Sequence, residues 1–230
     1  MGKNAGEKLI VALDVENRDK ALGLVKRLRS RVGLFKIGLQ LYTSEGPEIV
    51  RAVIDQGAGI FLDLKFLDIP NTVAGAVAEA VKLNVFMVNV HASGGKEMMK
   101  KAVESAKSTA DKTGIRAPIL LAVTVLTSAE CPADEVVRLA CLAKDSGMNG
   151  IVCPGREISP VREACGPGFI IVTPGIRPSG AKQDDQSRVM TPGEAIKSGA
   201  DYIVVGRPIS QSADPAEAAA GIIEEMERAL

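Results

Sequence analysis

Short runs rich in Val, Ile and Leu alternate along this chain with longer stretches whose apolar residues recur every three to four positions. The first kind of pattern predicts buried strands and the second predicts amphipathic helices. The first strand is expected over 9–14. Asn17 can cap a helix over 18–29, with Ala21, Leu24, Val25 and Leu28 on one face. A strand over 33–38 follows, then a helix over 47–56 stopped by Gly57. The third strand covers 59–64, and Pro70 stands where a helix continuing through 73–83 begins. Four more strands are expected over 85–91, 118–125, 150–153 and 169–173. Helices over 96–113, 132–146 and 160–165 lie between them. A polar loop over 174–190 leads to a helix over 191–198, a strand over 200–205 and a closing helix over 215–230.

Eight strands alternating with helices predict an α/β fold, a single (β/α)8 TIM barrel. An open doubly wound sheet is the rival, with fewer strands and less regular spacing. The 230 residues show no linker, low-complexity stretch or composition break, so one domain over 1–230 is expected.

Composition narrows the function classes. Lys plus Arg and Asp plus Glu both total 28, so no basic field favours nucleic acid. Trp is absent and aromatics are 3%, which argues against base-stacking platforms. The first eight residues lack the apolar core of a signal peptide. No apolar run reaches the roughly 18 residues of a membrane span. Cys131, Cys141, Cys153 and Cys165 form no C-x-x-C pair, and His91 is the sole histidine. Zinc is therefore not expected, nor a Ser-His-Asp triad, and a reduced cytoplasmic protein is. Cys153, next to a strand end without a paired His, reads as core.

Barrels of this type carry their chemistry at the carboxyl ends of the strands. Polar residues collect at those ends here: Asp14, Lys36, the group Asp63, Lys65 and Asp68, then Asn89 and His91, Thr124 running into Thr127-Ser128, Thr173-Pro174, and Gly206-Arg207. Strand ends also meet water, which accounts for Asn89, Thr124 and Ser128 as well as function does. It accounts less well for three strands aiming alternating charges at one mouth. Side chains at i and i+2 of a strand share a face, so Asp63 and Lys65 point together while Leu62 and Leu64 point away. Lys36, Asp63, Lys65 and Asp68 would then form a ring of alternating sign. Opposite charges about 4–6 Å apart favour each other's ionised form, so Lys65 is expected to hold a proton it can give.

Val204-Val205-Gly206-Arg207 reads as a phosphate site, with glycine backbone N–H groups and a guanidinium clamp. The Pro174-Gly175 turn offers a second backbone approach to a ligand. The polar segment 176–189 contains Gly180 and suits a lid with Arg177 and Gln186 as ligand contacts; a plain surface excursion explains it equally.

Asp63-Leu64-Lys65-Phe66-Leu67-Asp68-Ile69-Pro70-Asn71-Thr72 resembles the signature of the orotidine 5′-monophosphate decarboxylases, bacterial type. Ala12-Leu13-Asp14, Phe35-Lys36-Ile37-Gly38, Val90-His91-Ala92, Leu126-Thr127-Ser128, Thr173-Pro174-Gly175-Ile176-Arg177 and Val205-Gly206-Arg207 follow in that family's order. D-x-K-x-x-D alone is shared with sugar-phosphate decarboxylases and aldolases of the same barrel. The D-I-P-N-T and T-P-G-I-R-P segments are more specific. The resemblance implies cofactor-free, metal-free conversion of orotidine 5′-monophosphate to uridine 5′-monophosphate and carbon dioxide, the last step of de novo pyrimidine nucleotide synthesis. It implies Lys65 as proton donor to C6, Asp63 against the departing carboxylate, and Lys36 and Asp14 on ribose hydroxyls. It also implies that Asp68 and Thr72, with Ile69 between them, serve a partner's site in a homodimer with shared active sites. Thr127 matches a pyrimidine contact, while Pro174, Arg177, Gln186, Gly206 and Arg207 match phosphate and lid positions. The alternative is a metal-dependent sugar-phosphate decarboxylase or aldolase, which would want further carboxylates for magnesium. A non-catalytic phosphate-ligand sensor is a third reading, and the set of acids around Lys65 argues against it.

Overall fold

Eight parallel strands pair in chain order and close on themselves: β1 (Leu9–Ala12), β2 (Leu34–Gly38), β3 (Gly59–Phe66), β4 (Met87–His91), β5 (Ile119–Val123), β6 (Gly150–Val152), β7 (Ile170–Thr173) and β8 (Tyr202–Val205). β1 pairs with β2 on one side and with β8 on the other. This computed structural model describes residues 4–125, 132–178 and 190–230. The expected (β/α)8 barrel is the fold.

Strand alternation sorts the apolar residues into two layers. Ile10, Ala12, Leu34, Phe61, Met87, Leu121, Val123, Val152, Val172, Tyr202 and Val204 fill the barrel. Residues of opposite parity, such as Val11, Phe35, Leu62, Val88, Ala122, Ile151, Ile171 and Ile203, join a second layer under the helices. Every residue of β1 and β8 is buried, as strands covered on both faces must be.

Local chemistry starts the helices where the sequence suggests. Asn17 accepts from the Lys20 N–H and opens Arg18–Leu28. Pro70 and Pro215 occupy first-turn positions of Pro70–Lys82 and Pro215–Glu227, where a missing N–H costs nothing. Thr191 and Glu194 close a reciprocal capping box on Pro192–Lys197.

Three elements differ from expectation. Asn4 caps a helical turn, Ala5–Lys8, in a stretch that reads as merely small and polar. The segment before Ile54 holds two helices, Leu39–Glu45 and Glu48–Ile54. Gly46, at φ +64, and Pro47 separate them, a turn that a continuous helix cannot make. A third short helix, Arg207–Ser210, follows β8 directly. Among the described residues, no helix is long and apolar enough to cross a membrane.

Candidate active site

The inner-face register that stacks apolar residues inside the barrel turns polar at its carboxyl end on one side. On β2 the series runs Leu34, Lys36, Gly38; on β3 it runs Phe61, Asp63, Lys65; on β4 it runs Met87, Asn89, His91. Lys36, Asp63 and Lys65, with Asp14 beyond β1, line one cavity of about 330 Å³. That is the size range of small-molecule sites.

Their side chains form a chain of alternating charge. Lys36 Nζ stands 3.1 Å from Asp14 Oδ1 and 3.4 Å from Asp63 Oδ2. Lys65 Nζ donates to Asp63 Oδ1 at 2.7 Å. Asn89 Nδ2 donates to the same oxygen at 2.7 Å. Burial alone would push the Asp63 carboxyl up. The charges of Lys36 and Lys65, with hydrogen bonds from Lys65 and Asn89, outweigh burial and hold it below its ordinary value. An unpaired carboxylate this buried would be costly, so the two lysines are a condition of its being ionised there.

Backbone geometry matters as much as charge. Asp63 and Lys65 share a face as strand alternation predicts, but the β3–β4 ladder slips between Leu62 and Phe66. Lys65 takes φ +53 within that irregularity, a left-handed conformation rare for a residue with a long side chain. Such a conformation costs on the order of 1–3 kcal/mol and persists where surroundings over-determine it. The Lys65 N–H is met at 2.8 Å by Asn89 Oδ1. Gly38 contributes by lacking a side chain, because a Cβ there would lie 3.0 Å from Lys36 Nζ. In the sequence Asn89 reads equally well as a wet strand end, and nothing in the residue pattern gives Gly38 a role beside Lys36. The signal for Asn89 is a polar residue at an inward position of an apolar strand.

The opposite wall is different. Val123, Val125, Val152 and Cys153 face the charges across the cavity. Burial pushes the Cys153 thiol well above its ordinary value, which makes it a wall and not a nucleophile. At the top the lining comes from Pro174, Gly175, Ile176 and Arg177 after β7, and from Gly206, Arg207 and Pro208 after β8. Gly206 brings backbone close to Asp14, since a Cβ there would sit 3.4 Å from its Oδ2. Arg177 is buried, and its N–H bonds the Met190 carbonyl at 3.1 Å. Ile176 and Met190 bridge beside it. The charged groups of the lining are four cations against two carboxylates, an excess of two positive charges.

A sequence model described as "Orotidine 5′-phosphate decarboxylase / HUMPS family" matches residues 7–222. The chain belongs to this family. It is 52% identical over 98% of its length to the orotidine 5′-phosphate decarboxylase of Syntrophotalea carbinolica, covering 97% of that protein. It is 50% identical to that of Syntrophomonas wolfei, over 97% of this chain and 99% of the relative. The crystal structure of orotidine 5′-phosphate decarboxylase from Lactobacillus acidophilus superposes with a TM-score of 0.83 at 36% identity, over 96% of this chain and 99% of that one.

For this member of the family, the residues singled out in the sequence fall into three groups. Asp14, Lys36, Asp63, Lys65, Pro174, Arg177, Gly206 and Arg207 line the cavity. Asp68, Ile69 and Thr72 do not; they are exposed, and Asp68 Oδ1 accepts from the Ile69 N–H at 2.6 Å. The single-chain ring of alternating charge thus runs Asp14, Lys36, Asp63, Lys65, with Asp68 outside it. Thr127, Ser128, Gly180 and Gln186 lie outside the described residues. Thr124 turns from the cavity, its hydroxyl donating to the Val152 carbonyl at 3.1 Å. Among the described residues, no group of three or more His, Cys, Asp or Glu side chains is arranged to hold a metal ion.

Proposed function

We propose that this chain decarboxylates orotidine 5′-monophosphate to uridine 5′-monophosphate and carbon dioxide without a cofactor, with Lys65 as proton donor to C6. The observation that carries the reading is the alternating series Asp14, Lys36, Asp63 and Lys65 in one cavity that Arg177 and Arg207 also line. The names of the relatives at about half identity support the same substrate.

Breaking the bond between C6 and the carboxylate leaves an electron pair in the ring plane, where the ring π system cannot spread it. Charge fixed in advance beside that carbon is what stabilises it. The Lys65 ammonium does this, then gives its proton to C6, and solvent restores the proton. Asp63, held ionised by its partners, stands beside the substrate carboxylate and raises the ground state; the repulsion is relieved as the carboxylate becomes neutral carbon dioxide and its electron pair stays on C6, beside the Lys65 ammonium. Lys36 and Asp14 bind ribose hydroxyls. Arg207, Gly206 and Arg177 hold the phosphate, and binding energy gathered there is spent on orienting the reacting ring.

Asp68, Ile69 and Thr72 complete a second copy's cavity in a homodimer. The exposed side chains of Leu67 and Ile69, 54% and 67% accessible, support a seam at this edge. Sedimentation at micromolar concentration should give a dimer mass; a monomer mass would remove this part of the reading.

The primary experiment follows the pyrimidine absorbance of orotidine 5′-monophosphate in excess chelator. Turnover to uridine 5′-monophosphate is expected. No turnover, with or without magnesium, would sink the assignment and favour the metal-dependent sugar-phosphate alternative; turnover that needs magnesium would overturn the metal-free mechanism.

A further inference from the structure

Asn89 is fully buried at an inward position of β4, 26 residues from Asp63 and 24 from Lys65. Its one amide touches both. Oδ1 accepts the Lys65 backbone N–H at 2.8 Å, where the β3–β4 ladder is interrupted. Nδ2 donates at 2.7 Å to Asp63 Oδ1, the oxygen that also receives the Lys65 ammonium at 2.7 Å. A planar amide has its acceptor and donor a fixed distance apart. The backbone of residue 65 and the carboxylate of residue 63 are therefore held in one rigid frame, with the Lys65 side chain closing it.

We infer that Asn89 is the positioning residue that sets the Lys65 ammonium and Asp63 carboxylate relative to each other. The inference rests on the roles proposed for Lys65 and Asp63. Asn89 does not line the cavity, so it acts through its neighbours and not on substrate. Three features agree with this. A left-handed Lys65 needs something to hold it, and the side chain that meets its N–H belongs to a different strand. Asp63 Oδ2 is left to Lys36, so each carboxylate oxygen has its own cation. An asparagine fully buried between Val88 and Val90 needs both ends of its amide satisfied, and both are.

The test compares Asn89→Ala and Asn89→Asp with the parent, and includes Lys65→Ala as a control. Asn89→Asp keeps the size and an acceptor for the Lys65 N–H. It loses the donor and sets a second carboxyl against Asp63 Oδ1. A merely packing role for Asn89 would survive it. Both variants should lose turnover on the order of 10²-fold, the scale expected when reacting groups shift by about 1 Å. The affinity for uridine 5′-monophosphate, which is gripped through its phosphate and ribose, should stay within about threefold of parent, a kcat effect without a matching KM effect. Turnover within about threefold of parent for Asn89→Asp would overturn the inference. So would a loss of turnover matched by an equal loss of nucleotide affinity, which marks a general structural role. If Asn89→Ala does not fold, Asn89→Asp carries the comparison. A Lys65→Ala variant as active as the parent would instead overturn the underlying reading of the site. An inactive Lys65→Ala beside near-parental Asn89 variants would overturn this inference alone.

Discussion

Two halves of the barrel mouth share a strand register and differ in chemistry. From β1 to β4, the inward positions at the carboxyl end lead to Asp14, Lys36, Asp63 and Lys65, which line the cavity, and to Asn89 behind them. From β5 to β7, the corresponding positions are Val123, Val152 and Val172, all buried. The first half is neutral in sum, because each carboxylate faces an ammonium. None of those three valine side chains carries a charge or a hydrogen-bonding group. An ion pair against such a wall is screened less than the same pair in water. The charged half is thus preorganised by its own partners, whereas the apolar half shapes the space around it. One half should therefore govern rate and the other stability.

Three substitutions test this division. Arg207→Ala removes the proposed phosphate grip after β8, at the edge between the halves. It should lower kcat/KM for orotidine 5′-monophosphate by about 10²-fold, with much less effect on the nucleoside lacking phosphate. Equal losses on both substrates would place Arg207 outside phosphate binding. Val123→Ala, on the apolar half, should cost about 2 kcal/mol of stability through the cavity it leaves, read from the denaturant midpoint. Turnover at a temperature where it is folded should stay within about tenfold of parent. A larger loss of turnover with unchanged stability would invert the proposed division. The smallest effect is expected at His91. Burial, then the Lys65 charge, push its imidazole below the ordinary value, with Asp63 partly opposing them. The folded state therefore holds fewer protons than the unfolded state as pH falls below about 6.5. Stability present above that pH is lost as pH falls through the folded value. His91→Gln should flatten that decline, compared by denaturant midpoints at pH 7.5 and 5.5; an unchanged slope would show that His91 is not its source.

Much of this arrangement is legible in the sequence because the barrel is a periodic object. Runs such as Leu9-Ile10-Val11-Ala12 identify strands, and alternation then places Lys36 and Asp63 on the inner face. The helix Leu39–Glu45 is less visible than Glu48–Ile54, because Gly38 supplies no side-chain cap to announce it. The ladder slip at Lys65 is invisible to periodicity, since it depends on Asn89 in the next strand. Asn89 itself reads equally well as a wet strand end until its complete burial is seen. Gly38 gives no signal either, because its role is the absence of an atom near Lys36 Nζ. Asp68 shows the limit of proximity along the chain. Three residues from Lys65, it lies outside the cavity that Lys65 lines.

The central claim is that the charged half does the chemistry through the Lys65 ammonium. The most direct test is Lys65→Ala, with kcat for orotidine 5′-monophosphate and affinity for uridine 5′-monophosphate measured on the same preparation. Asp63 keeps Lys36 and Asn89 as partners in that variant, so a folded protein is expected. The account predicts a loss of kcat of at least about 10³-fold with product affinity within about tenfold of parent. Turnover within about tenfold of parent would contradict it.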